Sequence, residues 1–590
     1  MQYAETYQRS ISESEAFWAE RANDIPWFTA PQTILSKDAN DVARWYADGT
    51  LNTCFCAVDY HVQQGRGDQT ALIYDSPVTQ TVSRYSYAEL MDWTARVAGG
   101  LVELGVAKGD VVIIYMPMVP ELTVAVLACA RIGAVHSVVF AGFSSTALAA
   151  RINDAKCKVL LTADGSFRGP KVIDLFSIAN SALVDCESIE STIVLKRIGS
   201  EISLKPNQTW WHNEILEVTH ECPAEEMDSE DMLFILYTSG STGKPKGMVH
   251  SCGGYMIYSA YTFLNVFQYK PKDIYWCTAD IGWITGHSYI VYGPLLSGAT
   301  SVMFEGVPSF PDFSRFWNIV EKHKITHFYT APTAIRALAK HSVSLVDSND
   351  LSSLKVLGTV GEPINEEAWN WYDKNIGKSK CPIVDTWWQT ETGGIMLSSL
   401  AGVTKDKPTY ATKPMIGIQP VLLNNDGKEI FSKDGEGVLA IKYPWPSIAR
   451  TIYGDHDRYK NVYFSAYPGY YFPGDGALRD NQGNFRITGR VDDVVIVSGH
   501  NLGTAPIEDV INMHDNVVES ALVGYPHDIK GNALYAFVIL KDDSKKDDIE
   551  VEINKLISKT IGPIAKPEKI QLVPGPVSYT HLTLPTILLV

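Results

Sequence analysis

The sequence predicts an α/β protein with a large N-terminal domain of doubly wound sheets, a β-rich subdomain and a small C-terminal α+β domain. Val- and Ile-rich runs such as Val111–Tyr115 alternate with helical stretches such as residues 87–104, which is typical of parallel strands joined by helices. Residues 400–490 instead show short strands separated by Gly and Asp turns. After residue 489 a helix, two strands and a second helix follow, which predicts a separate small unit.

The chain is too long for one hydrophobic core. It has 590 residues, whereas single cores stop growing near ~250–300 residues, so at least two domains are expected. We predict a large domain over residues 1–489, whose first part, residues 1–60, is a polar helical segment. A boundary at residues 490–492 then leads into a small domain over residues 493–577, and residues 578–590 form a tail that fits neither unit.

Composition narrows the class of protein. The net charge of −17 disfavours a nucleic-acid-binding or anionic-membrane surface but leaves room for a small anionic substrate held by local N–H groups and a Lys. Nine scattered Cys without framework spacing indicate reduced thiols and a cytoplasmic location. The N-terminus lacks a signal-peptide pattern, and no run reaches the ~20 apolar residues of a membrane span.

The strongest local signal is a run of glycines, hydroxyls and lysines at residues 237–247, directly after an apolar strand-like run. The glycines let backbone N–H groups turn inward, the hydroxyls add donors and the lysines add positive charge, so the run can wrap a polyphosphate. A Walker loop is excluded because Pro245 follows Lys244, where that motif needs Ser or Thr. The alternative is a flexible surface loop. The candidate phosphate-binding residues are Thr238, Ser239, Gly240, Ser241, Thr242, Gly243, Lys244 and Lys246.

Further segments follow this loop in the chain. They are DIGWITGHSY at 280–289, GEPI at 361–364, DTWWQTETG at 385–393, GDG at 474–476, and GRVDD at 489–493 with SGH at 498–500. Together and in this order they resemble the acetyl-CoA synthetase family of the adenylate-forming superfamily, over roughly residues 10–575. The resemblance implies a ligase that converts ATP, acetate and CoA to acetyl-CoA, AMP and diphosphate through an acetyl-adenylate, with Mg²⁺.

The resemblance also implies the nucleotide contacts. Residues 361–363 would stack along adenine, Asp475 would accept the ribose hydroxyls and Arg490 would contact ribose or phosphate. Glu391 would be a Mg²⁺ ligand, since hard Mg²⁺ prefers carboxylate and phosphate oxygens. The implied catalytic residues are Asp492, Thr242, Lys244, Thr390 and Glu391. The other implied ATP-binding residues are Gly361, Glu362, Pro363, Asp385, Thr386, Trp387, Trp388 and Gln389.

On the acid side, the resemblance implies that Trp388 closes an acyl pocket built with Ile284, Thr285 and Val360. A bulky indole there leaves room for about one methyl group, so acetate is expected to be preferred and propionate to be poorer. The alternative for Trp388 is a plain core residue.

On the thiol side, Arg168 and Lys171 match the family's basic pair for the CoA 3′-phosphate, because Arg suits phosphate geometry and Lys acts as a point charge. The implied CoA-binding residues are Arg168, Gly169, Pro170, Lys171, Thr285, Ser498 and Gly499. Asn512, His514 and Val517 match a family cation site built largely from backbone carbonyls. The alternatives are a solvated loop for the basic pair and ordinary helix-end residues for the cation site.

The small domain is expected to be mobile. In the family it rotates between the two half-reactions, and Asp492 stands at the matching hinge position, where a residue must absorb a large φ/ψ change. The alternative is a solvated Asp-Asp turn.

Two positions depart from the family pattern. Asn501 stands where an Arg commonly contacts the phosphates, so that contact brings no charge here. The family's closing Pro-Lys-Thr-Arg-Ser-Gly-Lys type segment, whose second Lys stabilises charge during adenylation, has no match in residues 576–590. Losing a preorganised cation typically costs ~10²–10³ in rate, so we expect the chain as written to be impaired in adenylation and still to make thioester from supplied acetyl-AMP.

Two other functions stay open. One is a propionyl- or other short-chain acyl-CoA synthetase, and the other is a nucleotide- or acyl-AMP-binding protein without full turnover. A hydride-transfer enzyme is disfavoured because no G-x-G-x-x-G follows an early strand. The expected partners are the small molecules acetate, ATP and CoA, with neither nucleic acid nor membrane.

Overall fold

The described part of the chain covers most of the protein. The computed structural model describes residues 2–38, 42–214, 222–238, 245–491, 495–497, 500–502, 504–527, 531–541, 548–561 and 565–573. Several predicted features therefore lie outside the described residues. They are the phosphate loop at 239–244, Asp492, Ser498, Gly499, the side chain of Asn501 and the tail at 578–590.

The strands are numbered in chain order. Those before residue 250 are β1 Leu35–Lys37, β2 Ala43–Trp45, β3 Thr50–Leu51, β4 Thr70–Ser76, β5 Thr81–Ser86, β6 Val111–Tyr115, β7 Val135–Val138, β8 Val159–Ala163, β9 Ser166–Arg168, β10 Lys171–Ile173, β11 Ser191–Leu195, β12 Gln208–Trp210, β13 Met227–Asp228, β14 Met232–Thr238 and β15 Lys246–Ser251. The later ones are β16 Ile274–Cys277, β17 Thr300–Phe304, β18 His327–Thr330, β19 Val356–Thr359, β20 Ile383–Asp385, β21 Pro420–Leu423, β22 Gly435–Lys442, β23 Thr451–Ile452, β24 Tyr470–Tyr471, β25 Asp475–Arg479, β26 Phe485–Arg490, β27 Val495–Val497, β28 His500–Leu502, β29 Val517–His527, β30 Gly531–Leu540 and β31 Lys569–Leu572.

Some of the helices begin where the sequence supplies a cap or a proline. Ser86 forms a capping box with Glu89 at α3, and Pro120 opens α4 at its first turn. The α-helices are α1 Tyr3–Ser12, α2 Ser14–Ala22, α3 Tyr87–Glu103, α4 Pro120–Arg131, α5 Ser145–Ala155, α6 Leu175–Leu183, α7 Trp211–Glu214, α8 Gly253–Phe267, α9 Ile284–Gly286, α10 Gly293–Leu296, α11 Arg315–His323, α12 Pro332–Ala339, α13 Ser344–Asp347, α14 Glu366–Trp371, α15 His456–Tyr463, α16 Thr504–Asn512 and α17 Ile549–Thr560. The π-helical segments are Phe55–Asp59, Val62–Arg66, His287–Tyr292 and Tyr372–Ile376.

Two large sheets carry most of the protein before residue 400. The first has the order β12-β11-β8-β6-β7-β14-β15-β23 and is parallel as far as β14, after which β15 and β23 run antiparallel. The second has the order β20-β19-β18-β16-β17-β4-β5 and is parallel as far as β4. Strands such as β6 and β8 are buried along their whole length, as expected for strands covered on both faces.

An antiparallel sheet of order β21-β22-β25-β26, with β24 on β22, forms the β-rich part that the sequence predicts around residues 400–490. The strands after residue 494 form another sheet, of order β28-β27-β30-β29 with β31 parallel to β30. The side chains that this last sheet packs against α16 and α17 form a core made only of residues from 507 to 572. The C-terminal part therefore has its own hydrophobic core.

The predicted fold class is confirmed, and one prediction about local structure is wrong. Residues 1–60 are helical in α1, α2 and the first π-helical segment, but β1, β2 and β3 lie between them. Trp18 and Trp45 are fully buried, so this segment packs into the main core through these aromatic side chains. Among the described helices, none is long and apolar enough to cross a membrane.

Candidate active site

Many of the predicted nucleotide and acid residues lie at one edge of the second sheet. Four neighbouring parallel strands, β16, β18, β19 and β20, end there, and the segments that follow three of them begin at Thr278, Val360 and Thr386. Ligands of open α/β sheets bind outside the carboxyl ends of the strands, so this edge is the expected position of a site.

The predicted phosphate loop joins two antiparallel strands. Thr238, at the end of β14, pairs with Lys246, at the start of β15, so residues 239–244 connect the two strands of a hairpin. A Walker loop leads from a strand into a helix, so this arrangement supports the exclusion made from the sequence. The Oγ1 of Thr238 is buried, and no described residue is its hydrogen-bond partner, which suits a hydroxyl that meets a ligand oxygen.

The turn at residues 389–393 is held by hydrogen bonds from several separate elements. Ala449 N donates to Glu391 O at 2.8 Å. Ser447 Oγ donates to Thr392 O at 2.6 Å, and Ser288 Oγ donates to Gly393 O at 2.9 Å. His250 Nε2 lies 2.8 Å from Thr390 O. The turn is therefore a preorganised support for the side chains of Thr390 and Glu391.

The carboxylate of Glu391 is buried beside a cation and a phenol. Lys246 Nζ lies 3.7 Å from Glu391 Oε1, and the Tyr463 hydroxyl donates to the same oxygen. Burial lowers the pKa of Lys246, while Glu391 opposes that shift. Among the described residues, none donates a hydrogen bond to Oε2.

Asp475, the predicted ribose acceptor, accepts hydrogen bonds from two other residues that were predicted to bind ATP. Gln389 Nε2 donates to Asp475 Oδ2 at 2.9 Å, and Trp387 Nε1 donates to the same oxygen at 3.3 Å. Arg490 stands opposite Asp475 in the β25–β26 pairing, with its Nη1 3.7 Å from Asp475 Oδ1 and 2.8 Å from Pro473 O. The structure thus brings these predicted nucleotide residues together.

The segment after β19 offers open space beside the backbone. Gly361 has φ +99°, and a Cβ built on it meets no atom within 4 Å. A flat base can therefore approach this backbone closely. The side chain of Glu362 turns away from that space, because Thr333 N donates to its Oε1 at 2.6 Å and Arg336 Nη2 does so at 2.9 Å.

The residues that end β20 hold this edge of the sheet. Thr359 Oγ1 donates to Asp385 Oδ1 at 2.7 Å, and burial raises the pKa of Asp385 to about 6. Thr386 Oγ1 donates to Thr359 O at 2.8 Å, so Tyr329 Oη, 2.6 Å away, donates to Thr386 Oγ1. These bonds link β18, β19 and β20 where their ends face the site.

The predicted acid pocket lies where this edge meets α9. Ile284, Thr285 and Val360 are buried, and Trp388 packs against the core cluster that contains Ile284 and Val360. The indole of Trp388 stands perpendicular to the ring of Tyr289, with centroids 5.0 Å apart. Tyr289 lies in the π-helical segment that directly follows α9, so this contact brings Trp388 beside the helix that carries Ile284 and Thr285.

The predicted CoA-phosphate residues form an exposed hairpin. Arg168 and Lys171 are direct partners across β9 and β10, so both side chains project from the same face, with Gly169 and Pro170 at the turn. Both cations are exposed. Asp164 fixes the segment beside the hairpin by accepting the backbone N–H groups of residues 197–200 at 2.6–3.0 Å.

The predicted cation residues lie at the end of α16. Asn512 Oδ1 is buried, and no described residue is its partner. His514 is engaged, because Asn516 N donates to its Nδ1 at 3.2 Å and its Nε2 lies 2.9 Å from Glu552. Among the residues that the structure describes, no three His, Cys, Asp or Glu side chains form a metal-binding group.

Three contributing residues were not predicted from the sequence. Tyr463 lies in α15, a helix that the sequence analysis did not identify within the β-rich region, and its only local signal is the cap at Asp455. His250 stands in an apolar strand without a partner nearby in sequence, and Arg336 lies on α12.

Three family models match segments of this chain. A family model described as AMP-binding enzyme matches residues 59–453, one described as acetyl-coenzyme A synthetase N-terminus matches residues 3–57, and one described as AMP-binding enzyme C-terminal domain matches residues 506–578. The chain is also similar to the solved structure of acetoacetyl-CoA synthetase from Streptomyces lividans, with a TM-score of 0.89 and 25% identity, covering 98% of this chain and 87% of that one.

The chain therefore belongs to the AMP-binding enzyme family. Within it, the curated relatives are acetyl-coenzyme A synthetases. That of Bdellovibrio bacteriovorus is 51% identical over 577 residues, covering 97% of this chain and 89% of the relative. That of Syntrophobacter fumaroxidans is 51% identical, with 97% and 88% covered, and acetyl-coenzyme A synthetase 2 of Pseudomonas putida is 49% identical, with 97% and 89% covered.

Proposed function

We propose that this chain is an acetate:CoA ligase that forms AMP. In the first step an acetate oxygen attacks the α-phosphorus of ATP, and the bond to the leaving diphosphate breaks. In the second step the sulfur of CoA attacks the acetyl carbon, AMP leaves with the bonding electron pair, and the thiol proton is lost. The adenylate is needed because a carboxylate oxygen is a poor leaving group, whereas AMP is a good one.

The observation that carries this proposal is the convergence of the nucleotide and acid residues at one sheet edge. Asp475 and Arg490 lie on the side of Gln389, while Thr390 and Glu391 follow it on a turn fixed by other elements. The hairpin of β14 and β15 reaches the same turn through His250 and Lys246. A phosphate chain held there lies between ribose and acid, as in-line attack at the α-phosphorus requires.

A divalent cation fits beside Glu391. Its Oε2 has no donor among the described residues, and a hard carboxylate oxygen suits Mg²⁺ shared with phosphate oxygens. When bound, Mg²⁺ neutralises developing charge on the diphosphate. Lys246 and Tyr463 hold the carboxylate in one orientation from its other oxygen.

We further propose that Trp388 sets the preference for acetate. The indole is held against Tyr289 and the core, so it cannot move aside without losing that contact. An additional methylene on the acid would have to displace it, which changes discrimination by ~1–3 kcal/mol. A propionyl-CoA synthetase would instead use propionate at least as well as acetate, which a side-by-side panel of acids measures.

We also propose a cytoplasmic location for the enzyme.

We also propose a hinge at residues 490–492, between the large and the small domain. β26 ends at Arg490, and the small core begins only at Ile507. Arg336 Nη2 lies 3.4 Å from Glu519 Oε1 of the small domain, so a rotation of that domain would have to exchange this ion pair.

The direct test measures acetate-dependent release of AMP and diphosphate with CoA present, together with acetyl-CoA, in a version of the chain that carries the Pro-Lys-Thr-Arg-Ser-Gly-Lys ending. Stoichiometric products support the proposal. ATP binding without acetate-dependent AMP indicates the alternative, a binding protein without turnover. The predicted impairment in adenylation is tested by comparing pyrophosphate exchange by this chain with exchange by a version carrying the Pro-Lys-Thr-Arg-Ser-Gly-Lys ending.

A further inference from the structure

A buried histidine, His250, contacts the turn at residues 389–393. His250 lies in β15, the strand that follows the phosphate loop, and its Nε2 is 2.8 Å from Thr390 O. A carbonyl oxygen only accepts, so Nε2 carries the hydrogen. His250 has no exposed surface, and burial lowers its pKa to about 3, so the ring is a neutral donor at neutral pH.

Packing fixes the direction in which this ring donates. Phe234 stacks on it with centroids 4.8 Å apart, and Tyr255 lies 5.3 Å away. The turn rests directly on the ring, because a Cβ at Gly393, which has φ +73°, would lie 3.0 Å from His250 Cε1 and 2.3 Å from Ser447 O. Turning the imidazole out of its plane would disturb the stack, and flipping it within that plane would replace Nε2 by a carbon beside Thr390 O.

The contact joins two parts of the site that are distant in sequence. The other described donor to Thr390 O is Gly393 N at 3.3 Å, which belongs to the same turn and cannot anchor it to another element. The peptide between Thr390 and Glu391 carries both the candidate α-phosphate contact and the candidate Mg²⁺ ligand. His250 thus ties this peptide to β15, the strand that follows the phosphate loop in the chain.

We infer that His250 is a positioning residue for adenylation, which holds the Thr390–Glu391 peptide against β15. This inference rests on the proposed function and adds to it a residue that contacts neither substrate nor metal. An apolar side chain of similar size would fill the stack but leave the carbonyl without its anchor. Because displacements near 1 Å can cost ~10²-fold in rate, loss of the anchor affects the step that uses Glu391.

The same aromatic stack contains a matched control. His136 lies on the other side, with its ring 5.4 Å from that of Phe234, and it also has no exposed surface. Its Nε2 lies 2.7 Å from Tyr292 Oη instead of the nucleotide turn. His136→Leu therefore reproduces the packing change without touching Thr390.

The test compares His250→Leu, His250→Gln and His136→Leu in two assays that need no adenylation. One is calorimetric binding of ATP with and without Mg²⁺, and the other is acetyl-CoA formation from supplied acetyl-AMP and CoA. We expect His250→Leu to reduce the Mg²⁺-dependent gain in ATP affinity by roughly 10- to 100-fold, because a buried acceptor has lost its donor. Thioester formation should change less than about threefold, because that step does not use the Glu391 carboxylate.

His250→Gln, which keeps a neutral N–H donor, should recover a substantial part of the lost affinity, and His136→Leu should leave both assays unchanged. Equal losses in both assays, or the same loss in His136→Leu, would overturn the inference in favour of plain packing. If the unsubstituted chain shows neither Mg²⁺-dependent ATP binding nor thioester formation, the proposed function fails instead. Should His250→Leu not fold, the Gln variant still decides: retention of most of the Mg²⁺-dependent gain in ATP affinity supports the donor role, and full loss of that gain in a folded Gln variant overturns it.

Discussion

The turn at residues 389–393 and the β9–β10 hairpin are both predicted to face anionic groups, yet the structure holds them very differently. In the turn, backbone carbonyls accept hydrogen bonds from separate elements, and Glu391 lies buried against Lys246. In the hairpin, Arg168 and Lys171 are exposed, and the fixed point is the neighbouring Asp164.

The difference follows from how close each anionic group lies to the bonds that break in the reaction. Charge develops on the phosphates during adenylation, so groups that meet it gain from being fixed and dry. The 3′-phosphate of CoA takes no part in the chemistry, so exposed cations that can follow the ligand suffice. Substitutions in the turn should therefore change rates, whereas substitutions in the hairpin should change affinity.

The largest expected effect is at the turn. Glu391→Gln keeps the shape but removes the charge beside Lys246, so pyrophosphate exchange should fall by ~10²–10³-fold while thioester formation from acetyl-AMP persists. Glu429 is a matched control, because it pairs with Tyr470 Oη at 2.6 Å and Lys442 Nζ at 3.0 Å outside the site. Equal effects of Glu391→Gln and Glu429→Gln would contradict the special role of the turn in this comparison.

The acid pocket should give the next largest effect. Trp388→Ala removes the indole that packs on Tyr289, so the ratio of kcat/KM for propionate to that for acetate should rise by ~10- to 200-fold. A panel of straight-chain acids measures it, with acetate as the internal reference. An unchanged ratio would mean that other side chains limit the pocket.

The hairpin should give a smaller effect confined to CoA. Arg168→Ala and Lys171→Ala should each raise KM for CoA by about tenfold at low salt and less at high salt, with kcat little changed, because exposed charges are screened. CoA that lacks the 3′-phosphate is the control, since neither substitution should affect it. Equal losses with both forms of CoA would mean that the hairpin does not contact the 3′-phosphate.

Buried histidines provide a final, smaller effect on stability. Burial lowers the pKa of His61 and of His287 to about 4 and that of His250 to about 3, below the ordinary 6.5. The unfolded state therefore binds more protons below pH 6.5, and the free energy of unfolding should fall as pH drops, by up to ~1.4 kcal/mol per unit for each. His61→Gln, far from the turn, should reduce that slope by one such increment in urea titrations between pH 6.5 and 4. An unaltered slope would contradict the assignment.

Much of the site could be predicted because its residues follow strands directly. Val360, Asp385 and Thr386 stand at the ends of apolar runs, and parallel strands place such ends at one edge. The Tyr463–Glu391 and His250–Thr390 contacts could not, since they join residues 72 and 140 positions apart. Nor does local pattern show the short strands β1, β2 and β3, because the burial of Trp45 is a tertiary effect.

The central claim is that one sheet edge holds nucleotide phosphates beside an acid pocket capped by Trp388. A crystal structure with a non-hydrolysable acetyl-AMP analogue tests it most directly. We expect the ribose on Asp475, the phosphate beside Thr390 and the acetyl group against the indole. An analogue bound away from residues 385–391, or a pocket filled by the protein's own side chains, would contradict the account.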